Sequence, residues 1–189
     1  MFLLTRPAPA KIDAFVEELQ ALPLSYDPIG LVDRPAPGFA LDELTTVVGS
    51  GAAAFARACD CLRRWTHFDL GWVQIAPHAP PITTGTVVCV LVRHLGFWSM
   101  NGCRVVYAIG DSGGREFGFA YGTLTSHAER GEESFTVRLN PQTGDVTYTI
   151  RAVSRPRALL ARLGYPVTRR LQAQFRADSA TAMARALAR

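Results

Sequence analysis

Residues 10–20 place Ile12, Phe15, Val16 and Leu19 at helical spacing, with Pro7 and Pro9 before them and Pro23 after. The pattern predicts a short amphipathic helix. A Pro/Gly-rich connection over 27–38 follows, then a strand around 42–48 and a second helix opened by Gly49-Ser50-Gly51. Ser50 stands where an N-cap belongs. Phe55, Ala58, Cys59, Leu62 and Trp65 make that helix's apolar stripe, and Arg57, Asp60, Arg63 and Arg64 its wet face.

From Gly71 to Val153 the period changes to two, with strand-like runs at 71–76, 84–93, 103–109, 115–125, 132–139 and 145–153. Short turns between them predict antiparallel hairpins, and the last four strands read as a meander. Ser154-Arg155-Pro156 is expected to end the sheet and open a helix, because proline is tolerated in a first turn. Gly164-Tyr165-Pro166 should interrupt that helix before a longer one running to about residue 187. The longer helix is expected to bury Val167, Leu171, Phe175 and Ala182, to turn Arg169 and Arg176 the other way, and to point Gln174, Asp178 and Arg185 inward. The layout is α+β: a curved antiparallel sheet of about seven strands gripping a long C-terminal helix. A single domain over 1–189 is expected, with 1–38 as an N-terminal helical arm and its connection, and 39–189 as the body.

In the simplest hairpin register, Val105, Tyr107, Phe117, Phe119, Tyr121, Phe135, Val137, Tyr148 and Ile150 share one face of the sheet. Arg104, Gly118, Ala120, Gly122, Thr136, Arg138, Thr147, Thr149 and Arg151 take the other. A slip of one residue would exchange the two sets for any one strand.

Composition narrows the partners. The 189 residues are 48% hydrophobic and 19% charged, which suits a folded domain. The net charge of +4 divides unevenly. Residues 151–189 hold nine arginines and one acid, Asp178, while residues 1–150 carry a net −4. This excludes a uniformly basic nucleic-acid coat, and no apolar run reaches the roughly 20 residues of a membrane span. Met1 to Leu4 is followed at once by Thr5-Arg6-Pro7, too short an apolar core for a signal peptide. Cys59, Cys61, Cys89 and Cys103 have neither zinc nor redox spacing, so reduced thiols and a cytoplasmic location are expected, with no cofactor and no metal.

Several motifs carry a family resemblance. Gly71-Trp72, Phe97-Trp98-x-x-Asn101-x-Cys103-Arg104-Val105-Val106-Tyr107 and Phe117-Gly118-Phe119-Ala120-Tyr121-Gly122-Thr123-Leu124 form one group. His127-x-Glu129-x-Gly131-Glu132-Glu133-x-Phe135 and Ser154-Arg155-Pro156 form another. Together, from about Leu22 to the C-terminus, they resemble the bacterial and plant family called domain of unknown function nineteen-ninety. Ser126 departs from it, where a glycine is expected before His127. The resemblance implies a protein without an established activity whose strand order looks like the START and Bet v 1 helix-grip fold. Members of that fold often hold apolar ligands between sheet and helix, an inference from architecture alone.

The densest cluster of chemically able side chains is His127-Ala128-Glu129-Arg130-Gly131-Glu132-Glu133. Glu132 and Glu133 must point to opposite faces, so only one can join His127. Glu133 has the parity of Phe135 and Val137, so an apolar interior there demands a partner or a raised pKa. Arg104 and Arg155 are conceivable partners. His127 and Glu133 are the candidate proton-transfer residues of an enzyme. No Gly-x-Ser-x-Gly elbow surrounds any serine, and His67, His78, His94 and His127 lack metal spacing. For binding, the candidates are Trp72, Trp98, Tyr107, Phe117, Phe119, Tyr121, Glu133, Tyr148 and Gln174; Asn101 and Arg104 could meet a polar head group. The favoured expectation is a small, mostly apolar ligand. The arginine-rich helix suits no nucleic-acid motif, and leaves peripheral contact with anionic lipid or an acidic partner as a further expectation.

Overall fold

The computed structural model describes residues 2–110, 114–156 and 165–188. The first helix, α1 (Pro9–Leu19), follows a two-residue strand, β1 (Phe2–Leu3). Next come β2 (Ala40–Ser50) and α2 (Gly51–Arg63), then a 3-10 turn over Thr66–Phe68. Six strands follow: β3 (Val73–Ala76), β4 (Val87–His94), β5 (Phe97–Gly110), β6 (Glu116–Thr123), β7 (Glu129–Leu139) and β8 (Asp145–Pro156). The long helix α3 (Tyr165–Leu187) ends the described chain.

Seven strands lie in the order β2-β8-β7-β6-β5-β4-β3, antiparallel throughout, so β5 to β8 form the expected meander. The sheet is curved, with α2 and α3 on its inner face. Strand β5 is longer than the alternation suggested. Its Phe97–Gly102 half pairs with β4 on one side and β1 on the other; its second half pairs with β6. Strand β8 also outruns the sequence pattern, since Ser154 to Pro156 remain extended and paired with β7 rather than opening a helix. Strand β2 begins opposite Ser154, so Pro156 lies past its end and no strand on that side needs the missing amide. The helix turn expected after Pro156, and its break at Gly164, fall outside the described residues.

Alternation divides the sheet as the simplest register required, with one exception. Phe119 faces Phe135, Tyr121 faces Glu133, and Phe135 faces Ile150, all on the inner side. Between Val105 and Tyr107 a bulge shifts the β5–β6 register, so Val105 stays inside while Tyr107 joins the outer cluster of Tyr26, Leu31, Val32 and Val153.

The outer face is not bare. Ile12, Phe15 and Leu19 of α1 pack on Val87, Cys89, Leu91 and Met100, and residues 24–39 lie across the neighbouring strands. Glycines admit this second layer: a Cβ at Gly102 would strike Leu19, and one at Gly122 the ring of Tyr26. The clamp is polar as well. Glu132, buried on this face, accepts Tyr26 Oη (2.6 Å), Tyr107 Oη (2.9 Å) and the Gly30 amide (2.9 Å).

The inner face has two halves. Beneath α2 and the C-terminal half of α3 lies a packed aromatic core of Trp65, Phe68, Phe119, Phe135 and Tyr148 around a fully buried His67. Ala180, Met183 and Leu187 of α3 close it, and Tyr148 Oη meets Ser179 Oγ at 2.9 Å. The N-terminal half of α3 spans the other end of the sheet, and there the interior is hollow.

Candidate functional site

The hollow is a cavity of about 610 Å³. Its floor is the inner face of five strands: Val90 and Val92 of β4, Ser99 and Asn101 of β5, Tyr121 and Thr123 of β6, Glu133 of β7, and Ala152 and Ser154 of β8. Leu171, Gln172, Phe175 and Arg176 of α3 make the roof, and Phe68, Trp72 and Val73 the side wall. The β4–β5 turn at His94 and Leu95 and the β6–β7 turn at His127 and Ala128 stand at one end.

Directly opposite each other in the β6–β7 ladder, Tyr121 and Glu133 are joined by a 2.6 Å hydrogen bond from the phenol to Oε2. Glu133 Oε1 makes no hydrogen bond among the described residues and is left to the cavity. Burial among apolar walls raises the Glu133 pKa to about 7, against the opposing pull of the Tyr121 hydrogen bond and the Arg176 charge. The nearby cation is therefore Arg176. Arg104 instead donates to the carbonyls of Leu19 and Gln20, and Arg155 stacks on Phe39.

Three polar latches hold α3 over the cavity. Arg169 and Arg176 both reach Asp42 of β2, with Arg169 Nη2 at 2.6 Å and Arg176 Nη2 at 3.3 Å from Oδ1. Burial alone would raise Asp42; the Arg169 hydrogen bond and the charges of Arg176 and Arg169 overcome it and hold the carboxyl low. Gln172 Nε2 donates to Glu129 (3.1 Å) and Ser154 (3.2 Å), while burial raises the Glu129 pKa. Trp72 Nε1 donates to Asp178 (2.9 Å). This corrects the sequence reading of three positions: Arg169 and Arg176 face the sheet, and Gln174 faces solvent, where its amide donates to Asp178. The apolar stripe was only partly right: Phe175 packs on Phe68, while Leu171 meets the cavity and Val167 is exposed, because the N-terminal half of α3 roofs a hollow.

Of the sequence candidates, Trp72, Tyr121, Glu133 and His127 come together around the cavity. His127 Nδ1 accepts the Glu129 amide at 2.9 Å, and burial lowers its pKa to about 4, so the ring is neutral. The others lie elsewhere. Phe117, Phe119 and Tyr148 fill the packed core, where Arg63 covers Phe117 at 4.4 Å. Tyr107 is turned outward by the bulge, and Trp98 by strand parity, to pack near α1 under Arg6. Gln172 and Arg176 occupy the place foreseen for Gln174. Asn101 does line the cavity, donating to Ser99 Oγ and the Val90 carbonyl. Val90 and Val92 were legible as alternate residues of a strand, but their face could not be assigned without β5 as a partner. Among the described residues no cluster of His, Cys, Asp and Glu could hold a metal, and the four cysteines are buried and unpaired.

A curved antiparallel sheet with one long helix laid across it over a hollow is the helix-grip architecture. A hypothetical protein of Helicobacter pylori shares this fold, with a TM-score of 0.57 at 9% identity over 84% of this chain and 93% of that one. The ZhuI aromatase/cyclase of Streptomyces sp. R1128 does too, with a TM-score of 0.53 at 15% identity over 80% of this chain and 94% of that one. Within that class the chain belongs to the family described as Domain of unknown function (DUF1990), whose model matches residues 25–182. A UPF0548 protein of Dictyostelium discoideum is 36% identical over 165 residues, spanning 82% of this chain and 76% of its own length.

Proposed function

We propose that this protein binds a small, largely apolar molecule in the cavity between the sheet and α3. The observation that carries the reading is the hollow itself: about 610 Å³, within the usual range of small-molecule sites, walled by valine, leucine and aromatic side chains around the carboxyl groups of Glu129 and Glu133. Apolar burial supplies the affinity, and Glu133 Oε1, braced by Tyr121, orients a hydroxyl or similar donor on the ligand. Native mass spectrometry of the purified protein, followed by solvent extraction, tests this. A bound species of a few hundred daltons, released on unfolding, is the expected result. A protein that stays empty even when offered apolar compounds with single hydroxyl groups would remove the reading.

A second reading has its own observation. A carboxyl with a pKa of about 7 inside an apolar cavity is poised to give or take a proton at neutral pH. Glu133 is the residue of choice, since His127 is neutral and has one nitrogen already occupied. The aromatase/cyclase among the fold relatives says only that this architecture houses catalysis in that protein. Turnover of a retained ligand that follows a single ionisation near pH 7 and vanishes in Glu133→Gln is the expected outcome of this reading. Unchanged turnover in that variant would exclude Glu133 as the proton carrier.

A further inference from the structure

Large apolar side chains on the surface of a soluble domain are unremarkable when scattered, and informative when they gather. Here several gather at the end of the cavity where the β4–β5 turn stands. Leu95, 74% exposed, and Val167, 45% exposed, both line it. Phe97, 43% exposed, shares the β4–β5 turn with Leu95. Leu4, 77% exposed, directly follows β1, whose Leu3 pairs with Trp98 beside Phe97. Leu95 also sits at φ 48°, a left-handed conformation that a leucine adopts only at a cost in strain and that asparagine or glycine would accept readily. The β4–β5 turn needs a positive φ here, but not an exposed leucine side chain.

Charge surrounds this apolar rim with one sign. No aspartate or glutamate occurs from Leu70 to Gly110, nor from Arg151 to Ala177, the stretches that supply the β4–β5 hairpin and the roof of the cavity. Arg93 and Arg170 are exposed on these two elements, and Arg6 stacks on Trp98, the residue paired with Arg93. The acids of the cavity lining, Glu129, Glu132 and Glu133, are all hydrogen-bonded within the fold. A second copy of the chain would bring like charges together across such a face. An anionic bilayer presents the complementary sign and an apolar interior for the side chains at the tip.

We infer that the cavity mouth, formed by the Leu95–Phe97 turn, Leu4 and Val167 and ringed by Arg6, Arg93 and Arg170, docks on an anionic lipid surface. The cavity then opens toward the bilayer, and an apolar molecule passes between the two without crossing water. That last step rests on the ligand-binding reading; the docking rests on the rim alone.

Sedimentation of the full chain with phosphatidylcholine vesicles, with and without phosphatidylserine, tests the docking. Binding is expected to phosphatidylserine vesicles, weakening as salt rises. Leu95→Asn should lower it about tenfold while leaving the melting temperature unchanged or higher, since asparagine relieves the left-handed backbone. Phe97→Ser should act likewise. The double change Arg93→Glu with Arg170→Glu should erase the preference for anionic vesicles, and Val47→Ser, exposed on the distant edge strand β2, should leave binding intact. The docking is overturned if wild-type protein fails to bind at low salt, or if Leu95→Asn and Phe97→Ser bind as the wild type does. It is also overturned if the rim variants abolish a concentration-dependent dimer instead, which would assign the face to a second copy. Vesicle binding by a protein that never retains a ligand would support the docking and remove only the cavity reading.

Discussion

Glu132 and Glu133 are adjacent in β7 and live in opposite worlds. Glu132 is buried under the N-terminal arm with two tyrosine hydroxyls and a backbone amide aimed at it, so Glu132→Gln should cost about 3 kcal/mol of stability in urea unfolding. Glu133 holds its proton up to about pH 7 in the folded state, whereas in the unfolded chain it ionises near 4.5. Between those values the native state binds more protons, so this group's contribution to stability falls as pH rises from about 4.5 to about 7 and then levels off. Glu133→Gln should remove that slope and raise the melting temperature relative to wild type at pH 8. His67 has the opposite sign. Burial lowers it to about 3 from 6.5, so its stabilising contribution is complete above pH 6.5 and is lost as the solution is acidified. Among the described residues neither of its buried ring nitrogens has a hydrogen-bond partner, and His67→Leu should therefore leave stability at pH 7 equal or higher and flatten the acid limb of the unfolding curve. The opposite faces of the two glutamates were legible from strand parity alone, but the tyrosines and the amide that hold Glu132 were not. The burial of His67 was not, because nothing in Trp65-Thr66-His67-Phe68 distinguishes a core turn from a surface one.

At the scale of elements, α3 is a roof fastened at three points, and the fastening to Asp42 is the strongest because two arginines share one carboxylate. Asp42→Asn should destabilise the fold by about 2 kcal/mol, a partly buried ion cluster being worth less than a fully buried one. Amide exchange should rise selectively over residues 165–178, leaving the helix end at Met183 and Leu187 protected. Equal exchange along the whole helix would contradict the division into roof and core. Sequence disclosed the helix, its length and the inward side of Leu171 and Phe175, but not the inward turn of Arg169 and Arg176 or the exposure of Gln174. The expected stripe through Val167, Leu171 and Phe175 holds at Phe175, which reaches Phe68 and Phe135, but Leu171 meets the cavity and Val167 is exposed. In β5, similarly, alternation located the strand, while the bulge that moves Tyr107 outward leaves no trace in its hydrophobic pattern. The glycines at 102 and 122 did carry a signal, a close approach by the arm, that strand alternation could not interpret without knowing where the arm lies.

For the molecule as a whole, the basic C-terminal region has a structural use that net charge conceals. Arg169 and Arg176 are spent on Asp42, so the positive charge left for a partner is that of the rim and the exposed side of α3. Among the described residues no helix is long and apolar enough to cross a membrane. The sheet is sandwiched between two unlike layers. The arm seals its outer face with packed side chains, and on the inner face a packed aromatic half rigidly supports a hollow one. The claim that this hollow receives a ligand is tested most directly by titrating wild type and Ala152→Phe with an environment-sensitive apolar fluorophore. Ala152 lies on the cavity floor beside Glu133, where a phenyl ring would fill space without displacing core residues. Saturable, one-to-one enhancement in the wild type, weakened at least about tenfold in the variant at an unchanged melting temperature, is the predicted result. Equal enhancement in the two proteins would contradict the account.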